Sequence, residues 1–511
     1  MSSPEEKARE YLATKALYML GDLTTERPHP QTTQLSQLAN SDLSKILLII
    51  KNIELKLVSD LKTHLNEINL LQSDIEQTLR ENGKIFICGC GATGRLALTL
   101  EFLWRSLSPN NLRDKVIGFM AGGDVALVRS LERIEDSPEM GSQHLRSLGF
   151  TQNDLLISCT EGGETPYVIG ATEEAAWVSK RKPYFLFCNS TSILSEKVER
   201  SKRVIENNNI ISISLAIDPM VLAGSTRLQA TTALLLTVGS ALFPKVSAND
   251  PSAFFDEYES DIQNLDFLKL KPFIELESIT YQKNEKTLYE TKDYGITILT
   301  DTTERSPTFS LTPFENFREE SNENSLCYLH LVPTKSTYEA WQKLLNRPPR
   351  GEGRPDWIIA KGEEWVFGYD FSVIGKENRL NRLKGISHTF NIRDQDESIS
   401  FEFRGAVANF PLKTEKLFLK HLILKVLLNT HSTLVMGRLN RYQNNIMTYV
   451  KPSCGKLVDR AIRNILFILK HSDNHLGVSY DELAYKVFQE MPQLHSSEAI
   501  VMKIISGITK H

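Results

Sequence analysis

Glycines Gly89, Gly91 and Gly94 follow the apolar run Ile85-Phe-Ile-Cys and precede the helix-forming stretch Arg95-Leu-Ala-Leu. A strand, turn and helix start of this kind leave backbone N–H groups uncovered at a positive dipole end, which attracts phosphate. Thr93 adds a hydroxyl at the same point. The expected chemistry is a phosphate cradle at the carboxyl end of a parallel strand, where open α/β sheets bind ligands. The spacing also satisfies Gly-x-Gly-x-x-Gly. However, no acidic residue closes a second strand about 20 residues on, as ribose recognition requires, and the Gly-Lys-Ser/Thr ending of a P-loop is missing. A tight structural connection is the alternative reading of this loop.

Other candidates are read one residue at a time. Lys425 interrupts the apolar stretch Leu424-Lys-Val-Leu-Leu, where an ammonium is costly unless it reaches water or a partner. His421 and His431 flank it and read as structural. Glu135, in Glu132-Arg-Ile-Glu-Asp, reads by itself as part of a solvated helix face. Arg347-Pro-Pro-Arg-Gly-Glu-Gly-Arg-Pro reads as a loop whose three arginines face solvent.

The elements that must hold these residues follow from hydrophobic periodicity. Residues 1–80 read as helical, with Leu43, Ile46, Ile50, Ile53, Leu57 and Leu61 at helical spacing. Residues 81–247 alternate strands and helices. Lys115-Val-Ile-Gly-Phe-Met, Asp154-Leu-Leu-Ile-Ser, Pro183-Tyr-Phe-Leu-Phe-Cys-Asn and Ile210-Ile-Ser-Ile-Ser-Leu are the strands, which predicts a doubly wound parallel sheet. Strands expected at Gly295-Ile-Thr-Ile-Leu-Thr, Leu326-Cys-Tyr-Leu-His-Leu-Val, Trp357-Ile-Ile-Ala and Ser398-Ile-Ser-Phe-Glu-Phe suggest a second, degenerate α/β domain over 260–452. Residues 453–511 read as a small helical domain.

Composition bounds the function. With 511 residues, 41% apolar and 24% charged, the chain is of ordinary globular make-up and long enough for two or three domains. A net charge of −4 gives no electrostatic case for nucleic acid. The six cysteines are scattered without metal-site spacing and read as reduced thiols of a cytoplasmic protein. No apolar run reaches membrane-spanning length, and neither metal nor cofactor is called for.

Four segments of residues 22–245 resemble the sugar isomerase (SIS) domain family. Within it they resemble the N-acetylmuramic acid 6-phosphate etherases and their relative, the glucokinase regulatory protein. They are Gly89-Cys-Gly-Ala-Thr-Gly-Arg-Leu, Ala121-Gly-Gly-Asp with Leu131-Glu-Arg-Ile-Glu-Asp, Gly163-Glu-Thr-Pro-Tyr-Val-Ile-Gly, and Leu222-Ala-Gly-Ser-Thr-Arg-Leu. Thr25-Glu-Arg resembles the family's N-terminal segment. Glu304-Arg-Ser-Pro-Thr-Phe, Lys425-Val-Leu-Leu-Asn-Thr and Lys456-Leu-Val-Asp-Arg-Ala carry a fainter match in the second half. The resemblance implies two SIS-type parallel-sheet domains, the second degenerate, and a C-terminal helical cap.

It also implies a site between the two domains. Glu135 and the loops would come from the first domain. Glu304 and Lys425 would come from the second, since Leu103 and Leu235 stand at the matching positions of the first. Gly91, Thr93, Thr160, Thr165, Ser225 and Lys425 are the implied binding residues, and Glu135 and Glu304 the implied catalytic or sugar-holding pair. Arg227 is left open between bracing its loop and pairing with an acidic neighbour. Glu161 and Glu164, in the second phosphate loop, would oppose an anion unless they point away.

The reading preferred on this basis is a sugar-phosphate sensor that regulates a partner such as a sugar kinase. It would be monomeric, because the internal pseudo-dimer supplies the interface. The alternatives are an etherase that eliminates lactate with Glu135 and Glu304, and a pseudoenzyme that binds nothing.

Overall fold

The computed structural model describes residues 3–129, 132–244, 250–319, 323–350, 363–383, 385–395, 397–471, 477–495 and 498–509. The helical periodicity of the N-terminal region forms two long helices, Leu43–Leu61 and Leu65–Arg80. The Asp42 carboxylate caps the first by accepting from the Lys45 amide at 3.0 Å, and Ile46, Ile50, Ile53 and Leu57 are buried along one stripe.

The first sheet holds β1 (Ile85–Gly89), β2 (Val116–Met120), β3 (Leu155–Cys159), β4 (Tyr184–Phe187) and β5 (Ile211–Ser214). Their order is β2-β1-β3-β4-β5 and every pairing is parallel. Ile85 and Ile87 point into one apolar cluster, Phe86 and Cys88 into another on the opposite face. Burial on both faces is why these strands read as continuous apolar runs.

The second sheet holds β6 (Lys286–Thr291), β7 (Cys327–Leu331), β8 (Ser387–Gln395), β9 (Ser398–Phe403) and β10 (Ala406–Pro411). The order β7-β6-β8 is parallel and repeats β2-β1-β3. Beyond β8 the sheet turns antiparallel through β9 and β10, joined by Arg404-Gly405 with φ of 49° and 87°. The degeneracy is thus a replacement of the outer parallel strands by a meander.

Two expectations are corrected. Gly295-Ile-Thr-Ile-Leu-Thr begins the helix Gly295–Phe309 and is not a strand. Ile296, Ile298 and Leu299 are fully buried, because this helix is wedged between the Ala92–Leu107 helix and β7. A short apolar run reads the same for a buried helix as for a buried strand. The loop at Arg347 is not a solvated face at its described end. Arg347 is 4% exposed, with Nε and Nη2 donating to Glu101 at 3.0 and 2.9 Å and Nη1 donating to Asp124 at 2.5 Å. Arg350 adds a donation to Glu101 at 2.6 Å. The strand expected at Trp357 lies outside the described residues.

The buried helices Gln229–Leu242 and Leu417–Arg438 pack together between the two sheets, and one apolar cluster runs through both halves. The C-terminal helices Gly455–Lys470, Tyr480–Glu490 and Ile500–Thr509 pack on each other, and Tyr480 meets Tyr11 of the N-terminal helix Pro4–Thr14 with hydroxyls 2.6 Å apart. Among the described residues no helix is long and apolar enough to cross a membrane.

Candidate functional site

In the first sheet the chain steps from β1 outward to β2 and then back past β1 to β3. The loops after β1 and β3 therefore diverge, and the crevice between them is the topological switch point. Gly91 makes the first loop, with φ of 55° and open space where a Cβ would stand. Gly89 and Gly94 are needed for close approach, since a Cβ would lie 2.3 Å from the Thr93 carbonyl carbon or 2.4 Å from Met120. The second loop, Thr160 to Thr165, ends at the helix Pro166–Val178.

Here a cleft opens, whose empty space, counted out to bulk solvent, is about 980 Å³. The first half lines it with Gly91, Ala92, Arg95, Glu135, Glu161, Thr165 and the Gly224–Arg227 turn. The second half contributes Glu304, Pro307 and Thr308 from the Gly295–Phe309 helix. The C-terminal helix closes a further wall with Lys456, Leu457 and Arg460, and Thr25 and Glu26 stand beside it.

Charge in the wall is mostly matched. Glu26 accepts from Arg460 at 2.7 Å and from Arg463 at 2.9 Å. Burial would raise its carboxyl, but the two guanidiniums hold it well below the usual carboxylate range. Glu164 turns from the cleft to Lys456 at 2.6 Å and Arg200 at 2.9 Å, so only one of the two carboxylates of this loop faces inward. Lys456 Nζ also lies 3.8 Å from Glu135. Burial, reinforced by Glu164 and Asp136, raises the Glu135 pKa, and Lys456 opposes the rise. Burial likewise raises Glu304, opposed by Arg95 and Arg227.

Arg95, Glu161 and Glu304 have no ion pair in contact among the described residues, although Arg95 and Glu304 act on one another. Arg95 is 1% exposed, and its Nε and Nη2 have no hydrogen-bond partner among the described residues. Glu161 accepts from the Thr231 hydroxyl at 3.2 Å on one oxygen, and burial pushes its pKa up to about 7.

The structure brings Gly91, Glu135, Thr165, Ser225 and Glu304 to one cleft. It does not bring all the expected residues there. The Thr93 hydroxyl donates to the Cys90 carbonyl at 2.9 Å and accepts from the Cys90 amide at 3.0 Å, so it ties the turn together. The Thr160 hydroxyl accepts from the Gly163 amide at 3.2 Å and meets Thr165 at 3.1 Å. Lys425 lies behind the wall. It donates to the Leu228 carbonyl at 2.7 Å and to Thr232 at 2.5 Å, and borders a smaller cavity that it shares with Glu304 and His421. Burial pulls its ammonium pKa down, opposed by Glu54 and Glu304. Arg227 both braces and pairs, with Nη2 on Ser432 at 3.1 Å and Nη1 3.6 Å from Asp301.

Sequence reasoning missed Arg95, Glu26, Lys456 and Arg460 as wall residues. Each lay inside a segment already singled out. The i, i+4 spacing of Lys456 and Arg460 on an amphipathic helix was the available signal.

Comparison with known proteins bears on the family of the chain. Residues 67–175 match the family described as glucokinase regulatory protein N-terminal SIS domain. The N-acetylmuramic acid 6-phosphate etherase of Bacillus subtilis is 31% identical over 230 residues, 44% of this chain and 69% of that protein. That of Lactococcus lactis subsp. lactis is 32% identical over 214 residues, 42% of this chain and 67% of the relative. The chain thus spans about two thirds of the length of these relatives. The C-terminal domain of glucosamine-fructose-6-phosphate aminotransferase from Francisella tularensis aligns over 78% of this chain and 98% of its own, at 9% identity and a TM-score of 0.39, too loose a likeness to bear on function. The chain belongs to the SIS-domain family of the N-acetylmuramic acid 6-phosphate etherases and the glucokinase regulatory protein.

Proposed function

We propose that the cleft binds a sugar phosphate and carries out an etherase-type elimination on it. The observation that carries this is the meeting of two carboxylates, the half-buried Glu135 and the buried Glu304, from different halves of the chain in one cleft with different partners. Glu135 has the Lys456 ammonium 3.8 Å away, which favours its ionised form and suits it to accept a proton. Glu304 has no ion pair in contact among the described residues, and its raised pKa suits a proton donor. Ionised Glu135 takes the proton from carbon 2 of the sugar. Protonated Glu304 gives its proton to the ether oxygen on carbon 3, the C–O bond breaks, and lactate leaves. Water then adds across the double bond. The Gly91 turn, the helix N-terminus and Arg95 receive the phosphate.

This departs from the reading that the resemblance and the fused two-domain plan favoured. The etherase relatives, at about 31% identity, support the lyase at least as well as the regulator. Two observations keep the sensor as a second reading: two α/β units are fused in one chain, and residues 67–175 match the regulatory-protein pattern. In that reading the same cleft binds a hexose phosphate, and a partner such as a sugar kinase reads its occupancy.

Incubation with N-acetylmuramic acid 6-phosphate separates the two. The lyase releases lactate, and Glu135→Gln abolishes the release. Binding of fructose 6-phosphate or fructose 1-phosphate without lactate from any substrate supports the sensor. Binding of none leaves the pseudoenzyme.

A further inference from the structure

Glu304 stands at the border of two spaces. It lines the main cleft, and it also lines the smaller cavity behind the cleft wall, together with Thr297, Thr300, His421 and Lys425. That cavity leaves about 20 Å³ for the centre of a water molecule. One water takes about 10–15 Å³ by that measure and needs two to four polar partners. The cavity therefore has room for a water and none for a sugar ring.

The polar partners stand on its wall. His421 Nε2 and the Thr300 hydroxyl are buried and have no hydrogen-bond partner among the described residues. His421 is itself 1% exposed, its ring fixed by Nδ1 at 2.7 Å from the Thr297 hydroxyl and by edge-on packing of Phe102 and Tyr294. Of the three ammonium protons of Lys425, two go to the Leu228 carbonyl and the Thr232 hydroxyl, and the third finds no acceptor among the described residues. Lys425 and Glu304 form no ion pair in contact, yet each acts on the charge of the other. Two groups of opposite sign, too far apart to touch and both on the wall of a water-sized cavity, are the kind that a bridging water joins.

We infer that this cavity is a water site, in which one ordered water bridges Lys425 and His421 to Glu304 and makes Lys425 a positioning residue for that acid. The kinetic consequence rests on the etherase reading above; the water site does not. When Glu304 gives its proton to the ether oxygen, a negative charge is left on its carboxylate. A water oriented by the Lys425 ammonium donates to that carboxylate and stabilises it as it forms. The other charges acting on Glu304 are Arg95, Arg227 and Asp301, and those acting on Lys425 are Glu54, Arg227 and Glu161.

A crystal of the full chain that diffracts well enough to show ordered water tests the site. Density is expected within about 3 Å of Lys425 Nζ, His421 Nε2 and the Glu304 carboxyl. A dry cavity, or a direct contact of Lys425 with Glu304, overturns the inference. Lys425→Met, which removes the ammonium and keeps the stem, tests the positioning role. Lactate release from N-acetylmuramic acid 6-phosphate needs protonated Glu304, so kcat falls as pH rises through the pKa of that group. In Lys425→Met the alkaline limb should lie about one pH unit higher, the lower end of what a nearby opposite charge produces, with kcat lowered and KM little changed. A lysine that only holds the fold would lower the melting temperature and leave the limb in place, which overturns the positioning role. No lactate from the wild-type chain overturns the etherase reading, and the density still decides the water site. The density decides it equally if Lys425→Met does not fold.

Discussion

Two clusters of buried charge occupy comparable ground between the halves of this molecule, and they are built on opposite principles. Around Arg347, each guanidinium and carboxylate meets a protein partner. Glu101 is held bidentately by Arg347 and again by Arg350, and Asp124 takes Arg347 and the Arg350 amide. Around Gly91, a large cleft opens and three of its charges, on Arg95, Glu161 and Glu304, lack counterions in contact among the described residues. The matched cluster joins the second half to the first. The unmatched one is poised for something the chain does not itself contain. Saturation of buried charge, more than its amount, separates scaffold from site.

The comparison can be broken at several points. The largest effect is expected for Glu135→Gln, which should lower lactate release by a factor of about 10² to 10⁴, the usual worth of a general base, with stability little changed. Retained turnover would remove Glu135 from the chemistry. Next comes Arg347→Met, which strips one partner from a buried ion cluster. Chemical denaturation should report a loss of about 3–5 kcal/mol, while the folded fraction keeps its ligand preference. A stable variant with altered specificity would reverse the roles assigned to the two clusters.

Arg95→Met should do the opposite of Arg347→Met. The Nε and Nη2 of Arg95 make no hydrogen bond to the described residues, so the melting temperature should fall far less than in Arg347→Met, while affinity for any sugar phosphate falls by about tenfold or more. The smallest effect concerns pH. Glu161 titrates near 7, raised by burial, so it is neutral below that pH and charged above it. A sugar phosphate should therefore bind more weakly as pH rises from 6 to 8. Glu161→Gln should lose that slope, apart from the phosphate's own titration, which both proteins share. A parallel slope in the two proteins would mean that Glu161 does not face the ligand.

Much of this was legible in the residues. The run Ile85-Phe-Ile-Cys with its glycines located both β1 and the helix start, because a buried parallel strand and a close turn admit few other residue types. Glu135 and Glu304 became legible through the family motifs, which also assigned them to two halves of one chain. The second sheet was harder. β6, β8 and β10 mix polar residues into their strands, and the β-branched run after Gly295 imitates a strand. Side-chain direction was harder still. Thr93 and Thr160 carry the right group in the right loop, yet their hydroxyls satisfy their own turns. Lys425 turns to a carbonyl and a hydroxyl of the Gln229–Leu242 helix and its lead-in, while Lys456 comes from a helix distant in sequence. Periodicity does not carry that information, since it depends on which surface the tail packs against.

The most direct test of the central claim is a crystal of the full chain soaked in N-acetylmuramic acid 6-phosphate. The account predicts phosphate density within about 3 Å of the Gly91–Ala92 backbone and the Arg95 guanidinium, with the sugar ring between Glu135 and Glu304. Phosphate bound at the Arg347 cluster or elsewhere, with this cleft left to solvent, would contradict it.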